Sequence, residues 1–228
     1  MTLKNKVAAA LEPERLQLSY YLHQYVSSYS SLLDLGSGAG EVWGAHIPTT
    51  VSRRTAVDLH HPSLEQGLAS GVYTHSVQSD ALNFLRSQTA QSHDVVLAIS
   101  VIEHLPHEKG VELAREMRRV AKHLAIIFTP NGFVAQPPTS DNPFQEHVSG
   151  WDVTNLRLLG YEFVGGFSGL KFLRTFRGRP RLGTNAFATL CLLLTTRIVH
   201  QSERLAFEIL VKSEKSDKSN FSRDVVLQ

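Results

Sequence analysis

Residues 31–41 read Ser-Leu-Leu-Asp-Leu-Gly-Ser-Gly-Ala-Gly-Glu. Leu32, Leu33 and Leu35 make a short apolar run of the kind needed by a strand buried on both faces. The run stops at Gly36, Gly38 and Gly40, glycines on alternate positions. Glycine accepts backbone angles that a Cβ forbids, and its bare backbone lets a ligand approach closely. A buried strand that ends in such a turn and runs on toward a helix opens a ligand crevice at the carboxyl end of a parallel sheet.

The rest of the chain fits that frame. Apolar runs at 51–59, 73–77, 93–100, 124–128, 161–167 and 205–212 alternate with stretches at helical spacing, which specifies a doubly wound α/β sheet. Helices are expected in one or two pieces over 5–28, at 41–46, from about Pro62, after Asp80, at 107–123, at 152–159 and at 182–200. Three units follow: an N-terminal helical cover over 1–30, a main domain over 31–213, and a flexible Ser/Lys/Asp-rich tail over 214–228. Within the main domain, 133–204 carries the loop and helices on the substrate side.

A dinucleotide fingerprint, Gly-x-Gly-x-x-Gly, would place its third glycine at position 41, which is Glu. Asp34 and Glu41 suit a ligand that carries an ammonium group rather than a pyrophosphate. Asp58 stands 18 positions after Gly40, where an acid at the end of the second strand meets a ribose. Its other reading is a cap for the helix near Pro62.

The stretch around Gly36, Gly38 and Gly40 resembles motif I of the class I S-adenosylmethionine (SAM) dependent methyltransferases. Ile102-Glu103-His104-Leu105 resembles the Glu-His-Leu segment of that family's small-molecule branch, which includes ubiquinone-biosynthesis methyltransferases. The resemblance implies a seven-stranded Rossmann-like sheet, mostly parallel, with an antiparallel last strand. It implies SAM as cofactor, held by Asp34, Gly36, Ser37, Gly38, Gly40, Asp58, Leu59 and Ser100. In the family an acid after the third strand meets adenine, a place taken here by Asp80 and Ala81. Some ubiquinone-type enzymes hold a divalent metal through an extra Glu at the position of Ser100. Glu103 and His104 alone make a poor magnesium site, so no metal is expected.

The loop over 133–151 contains Phe144-Gln145-Glu146-His147 and ends Ser149-Gly150-Trp151. A loop of this length is usually functional or disordered, and its aromatic and ionisable content argues for function. His147 is the expected catalytic base, flanked by Phe144 and Trp151 as shields from water, with His104 the second catalytic candidate. Both residues also have a plain structural reading, as a loop tie and a packing imidazole.

Composition narrows the partners. The net charge is only +2, so no nucleic acid is expected. Lys171, Arg174, Arg177, Arg179 and Arg181 form a basic arm, suited to solvent, to an anionic acceptor or to a peripheral membrane contact. Cys191, the single cysteine, excludes an internal disulfide and a cysteine zinc cluster. The longest apolar segment, 186–194, falls well short of the ~20 residues that span a bilayer. Two lysines near Met1 precede no apolar core. The cytoplasm is therefore the expected compartment. The expected activity is methyl transfer to a small-molecule, saccharide or lipid-precursor acceptor, with a non-catalytic SAM-binding interaction protein as the alternative. Composition says nothing of oligomeric state.

Overall fold

Val95, Val96, Leu97 and Ala98 are all fully buried. A strand with no polar face must be covered on both sides, and it therefore belongs in the middle of a layered sheet. The computed structural model describes residues 13–42, 48, 50–138, 142–170, 175–176, 179–180 and 200–215. Seven strands form one sheet: β1 (Ser31–Leu35), β2 (Arg53–Asp58), β3 (His75–Gln78), β4 (His93–Ile99), β5 (Ala121–Pro130), β6 (Glu162–Leu170) and β7 (Ala206–Glu214). Their order is β3-β2-β1-β4-β5-β7-β6. Pairings from β3 through β5 are parallel, and β7 runs antiparallel to both β5 and β6. This is the mixed sheet that the resemblance implied. A short antiparallel pair, Thr175–Phe176 with Arg179–Pro180, stands apart from it.

Alternate residues of the central strands serve the two faces. Leu33, Leu35, Val96, Ala98, Ala125 and Ile127 pack on one side. There they meet α3 (Ala81–Ser87), α4 (His107–Val120) and α5 (Val153–Leu158) through Leu85, Leu113, Met117 and Leu156. Leu32, Val95, Leu97, Leu124 and Ile126 pack on the other, against Leu18, Leu22 and Val26 of α1 (Pro13–Val26) and Leu64 of α2 (His61–Ala69). Pro13, read as a break, opens α1, as proline's fixed φ allows at a first helical position.

Several boundaries moved for identifiable reasons. The helix expected over 107–123 ends at Val120, because Ala121 already pairs with His93. The third strand starts at His75 rather than Tyr73, whose ring is buried and whose hydroxyl donates to Asp34 at 2.6 Å. The last strand runs on to Glu214 instead of fraying: Ser213 and Glu214 pair with Ala125 and Leu124, and Arg118 Nε donates to Ser213 Oγ at 2.8 Å. The structure describes Glu41 and Val42 as a turn. The remainder of the short helix expected at 41–46, residues 1–12, residues 182–199 of the helix expected over 182–200 and the tail from 216 lie outside the described residues. Of the basic arm, Lys171, Arg174, Arg177 and Arg181 also lie outside them. Among the described residues, no helix is long and apolar enough to cross a membrane.

The first turn of α4 is locked to the loop before α5. Trp151 is 1% exposed, stacks on His107 at 4.3 Å between ring centroids, and donates from Nε1 to Ser149 Oγ at 2.8 Å. Gly110 leaves room for that ring. A Cβ built there would overlap Trp151 and lie 3.0 Å from Ile102 Cγ1. Gly110→Ala gains about 1 kcal/mol of helix propensity, while overpacking a rigid buried ring costs about 1–3 kcal/mol. We expect a net loss of about 1 kcal/mol in urea unfolding. A variant more stable than the parent would show that Trp151 can move aside.

Candidate active site

The strand order reverses between β1 and β4: β2 lies on one side of β1, and β4 leads away on the other. Ligands of open α/β sheets bind at such a switch point, beyond the carboxyl ends of the strands. β1 ends at Gly36, with φ of +59°, and β4 is followed by Ser100, with φ of +53°. Left-handed backbone is rare for a serine and marks a constrained site. The glycines do more than admit a ligand. A Cβ on Gly36 would lie 2.5 Å from Val101 Cγ2, and one on Gly40 2.6 Å from Val72 Cγ1. The loop is thus packed down on its own protein at both ends.

A cavity of about 280 Å³ opens here, lined by Gly36, Asp58, Leu59, Asp80, Ala81 and Ser100 together with Val101, His104, Phe144 and Gln145. Six of the ten residues expected to bind cofactor are among these. Asp58 accepts from Gly38 N through Oδ2 and from His60 N through Oδ1, each at 2.8 Å. A carboxylate offers about four lone-pair sites, so capacity remains on both oxygens for a pair of hydroxyls. It is not the helix cap: the N-cap of α2 is His60, with no side-chain capping bond. Asp80 does cap α3, accepting from Asn83 N at 2.9 Å, and still faces the cavity.

Asp34, Ser37, Gly38 and Gly40 do not line the cavity. Asp34 is 3% exposed and its carboxylate takes the Tyr73 hydroxyl. Ser37 is buried, and its hydroxyl donates to Gly38 O. Glu41 is exposed.

A second cavity, about 420 Å³, is lined by Glu103, His104, His147, Gln136, Gln145 and Glu208 along with Pro130, Val134 and Phe207. Ser100, His104 and Gln145 line both cavities, so the two spaces share a wall. Glu103 sits in a short turn, Ile102–His104, and is 1% exposed. Burial raises its carboxyl to about 7, against the smaller opposing pull of hydrogen bonds, including the Thr129 hydroxyl at 3.0 Å from Oε2. Its Oε1 has no hydrogen-bond partner among the described residues.

His104 and His147 face each other with ring centroids 4.8 Å apart. His104 Nδ1 lies 2.9 Å from Glu146 O, and His147 Nδ1 2.7 Å from Val134 O. A carbonyl only accepts, so both rings carry hydrogen on Nδ1, which leaves the lone pair of each neutral imidazole on Nε2. Desolvation holds His147 below the usual histidine range; the Val134 carbonyl opposes this and His104 adds to it. His147 therefore ties its loop through one nitrogen and has the other for chemistry. Trp151, expected to shield it, is instead a buried anchor that lines neither cavity, while Phe144 is half exposed and lines the first.

The loop is carried by backbone bonds that the sequence does not display. Val148 N and Ser149 N donate to Glu103 O at 2.9 and 3.1 Å, His147 N to Gln136 O at 3.0 Å, and Gln136 Nε2 to Gln145 O at 2.8 Å. Glu103, Gln136, Gln145 and Glu208 were not among the candidate site residues. For Glu103, an acid between Ile102 and a histidine was the available signal; Glu208 lies in β7, and only the sheet order brings it near.

A switch-point cavity with an acid at the end of β2, another after β3 and a glycine turn after β1 is the arrangement that the resemblance to the Rossmann-like SAM-dependent methyltransferases implied. Residues 33–129 match the methyltransferase domain family. The matched segment runs from β1 into β5, and this part of the chain is similar to a methyltransferase domain. Solved structures share the fold. A SAM-dependent methyltransferase from Archaeoglobus fulgidus is 16% identical, with 88% of this chain and 94% of that one covered and a TM-score of 0.55. The YcgJ protein of Bacillus subtilis is 16% identical, covering 87% and 99%, with a TM-score of 0.54. Magnesium protoporphyrin IX methyltransferase from Synechocystis PCC 6803, solved with bound SAM, is 11% identical, covering 93% and 83%, with a TM-score of 0.53. None of these singles out the ubiquinone-biosynthesis branch. No curated protein matches the sequence closely enough to count as a relative.

Asp58→Ala should weaken SAM binding by about 1–3 kcal/mol, the cost of leaving hydrogen-bonding groups unmet, or roughly 5- to 150-fold. Calorimetric titration of the folded variant reads it. Unchanged affinity would remove Asp58 from the cofactor site.

Proposed function

We propose that the chain moves the SAM methyl group to a small-molecule acceptor, with the first cavity holding the cofactor and the second the acceptor. The observation that carries this reading is their common wall of Ser100, His104 and Gln145, since in-line displacement needs donor and acceptor to meet across one boundary. The acceptor's lone pair attacks the methyl carbon, the carbon–sulfur bond breaks, and S-adenosylhomocysteine leaves. SAM brings the activated methyl; the protein supplies orientation and exclusion of water.

In the first cavity, Asp58 takes the ribose hydroxyls, Asp80 and Ala81 the adenine, and Gly36, Leu59 and Ser100 close around the sulfonium end. Asp34, Ser37, Gly38 and Gly40 act by shaping the turn. In the second, His147 and His104 handle the acceptor's proton, so the acceptor is a hydroxyl-bearing molecule. The lining described for this cavity holds Glu103 and Glu208 and no lysine or arginine, which favours a neutral acceptor over an anionic one. Residues 133–151 supply the substrate side of the domain.

Release of S-adenosylhomocysteine from SAM in the presence of hydroxylated small molecules tests the reaction. At saturating SAM, His147→Gln should cut turnover about 10²–10⁴-fold, the usual contribution of a group that manages a proton, with SAM affinity unchanged. Turnover within a few-fold of the parent would take His147 out of the chemistry.

A further inference from the structure

The acceptor-side cluster holds more than two imidazoles. A carboxylate oxygen of Glu103 and one nitrogen each of His104 and His147 all lie within 4.8 Å of one another. Read along the chain, this place offers two ligands, Glu103 and His104, with Ser100 where a third would stand. The fold brings in the missing one from 43 residues past His104.

We infer that Glu103, His104 and His147 form a binding site for one divalent first-row transition-metal ion, such as Zn²⁺ or Co²⁺. Three features point there. Each imidazole is oriented by an Nδ1 bond to a backbone carbonyl, Glu146 O or Val134 O, which is how ligating histidines are fixed with Nε2 presented to a metal. Glu103 is 1% exposed, its Oε2 is steadied by Thr129 and its Oε1 has no partner among the described residues. A buried acceptor without a donor is costly, and a cation satisfies it. The donor set, two nitrogens and one carboxylate, suits zinc-like ions and not magnesium, which prefers an octahedron of oxygens. Bonds of ~2.0–2.1 Å place tetrahedral ligand atoms roughly 3.3 Å apart, so the three groups need close by only about 1–1.5 Å.

Three protein ligands leave a position open toward the cavity, the arrangement of a working rather than a sealed site. Binding of the ion stands apart from the methyl-transfer reading; its consequence rests on that reading. With the lone pairs of both imidazoles on the metal, an acceptor hydroxyl at the open position loses its proton to solvent because coordination lowers its pKa. His147 and His104 then act on that proton through the ion they hold.

The test uses the full chain, stripped with a chelator and dialysed, then titrated with CoCl₂, ZnCl₂ or MgCl₂ and followed by calorimetry and by Co²⁺ visible absorption. We expect one Co²⁺ or Zn²⁺ per chain, displacing each other, and no saturable Mg²⁺ binding. Glu103→Gln and His147→Ala should each weaken Co²⁺ at least about 10-fold, and Thr129→Val about 10- to 100-fold through the orientation of Glu103. SAM titration of each variant confirms that the fold and the cofactor site are intact. If both ligand variants lose SAM binding as well, Thr129→Val decides. No saturable Co²⁺ or Zn²⁺ binding, binding that the variants leave unchanged, or a preference for Mg²⁺ would overturn the inference. Because SAM affinity and methyl transfer are read separately, an absent metal would leave the methyltransferase reading standing, and an absent methyl transfer would leave the metal site standing.

Discussion

The contact between Gly36 and Val101 holds the site together. β1 and β4 are neighbours whose connections leave in opposite directions, and something must fix how closely their ends approach. Val101 fills the space where a Cβ on Gly36 would be, and the Gly36 amide donates to Val57 O at 2.7 Å. These two contacts tie together the ends of β1, β2 and β4. Asp58 then reaches Gly38 from the next strand, and the first cavity is the space that remains. Ser100 N still continues the β4–β5 ladder by donating to Phe128 O at 2.9 Å, and the left-handed turn begins where that ladder ends.

The second cavity depends on another joint, at Glu103. Its backbone carbonyl takes the amides of Val148 and Ser149, and its buried carboxylate lies near the imidazoles of His104, in its own turn, and His147, in that loop. Trp151 fastens the loop's end to α4 by filling the gap at Gly110. One turn thus positions both the floor of the second cavity and the chain that lines its wall. The two cavities meet where these joints meet, at Ser100 and His104.

Much of this was legible in the chain. Buried parallel strands advertise themselves as apolar runs, and the order of Gly36, Asp58 and Asp80 at successive strand ends reflects a local fact: each sits at or just past the end of its own strand. What stayed hidden was non-local. Trp151 read as a shield because loop residues beside a histidine look like its neighbours, and only the packing of α4 shows the ring turned into the core. Asp34 read as a ligand from its place before the glycines; Tyr73, 39 positions away, claims its carboxylate. His147 read as a lone base because its distance along the chain from Glu103 conceals their meeting in space. Glu214 read as tail, though β7 extends to it and pairs it with Leu124 of β5.

The central claim is that the two cavities are the donor and acceptor sides of one reaction. A structure determined with S-adenosylhomocysteine tests it most directly. The account predicts the ribose on Asp58, the adenine beside Asp80 and Ala81, and the sulfur pointing at the wall formed by Ser100, His104 and Gln145, with the cavity around Glu103 and His147 left open beyond it. A nucleoside bound elsewhere, or a sulfur directed away from that wall, would contradict it.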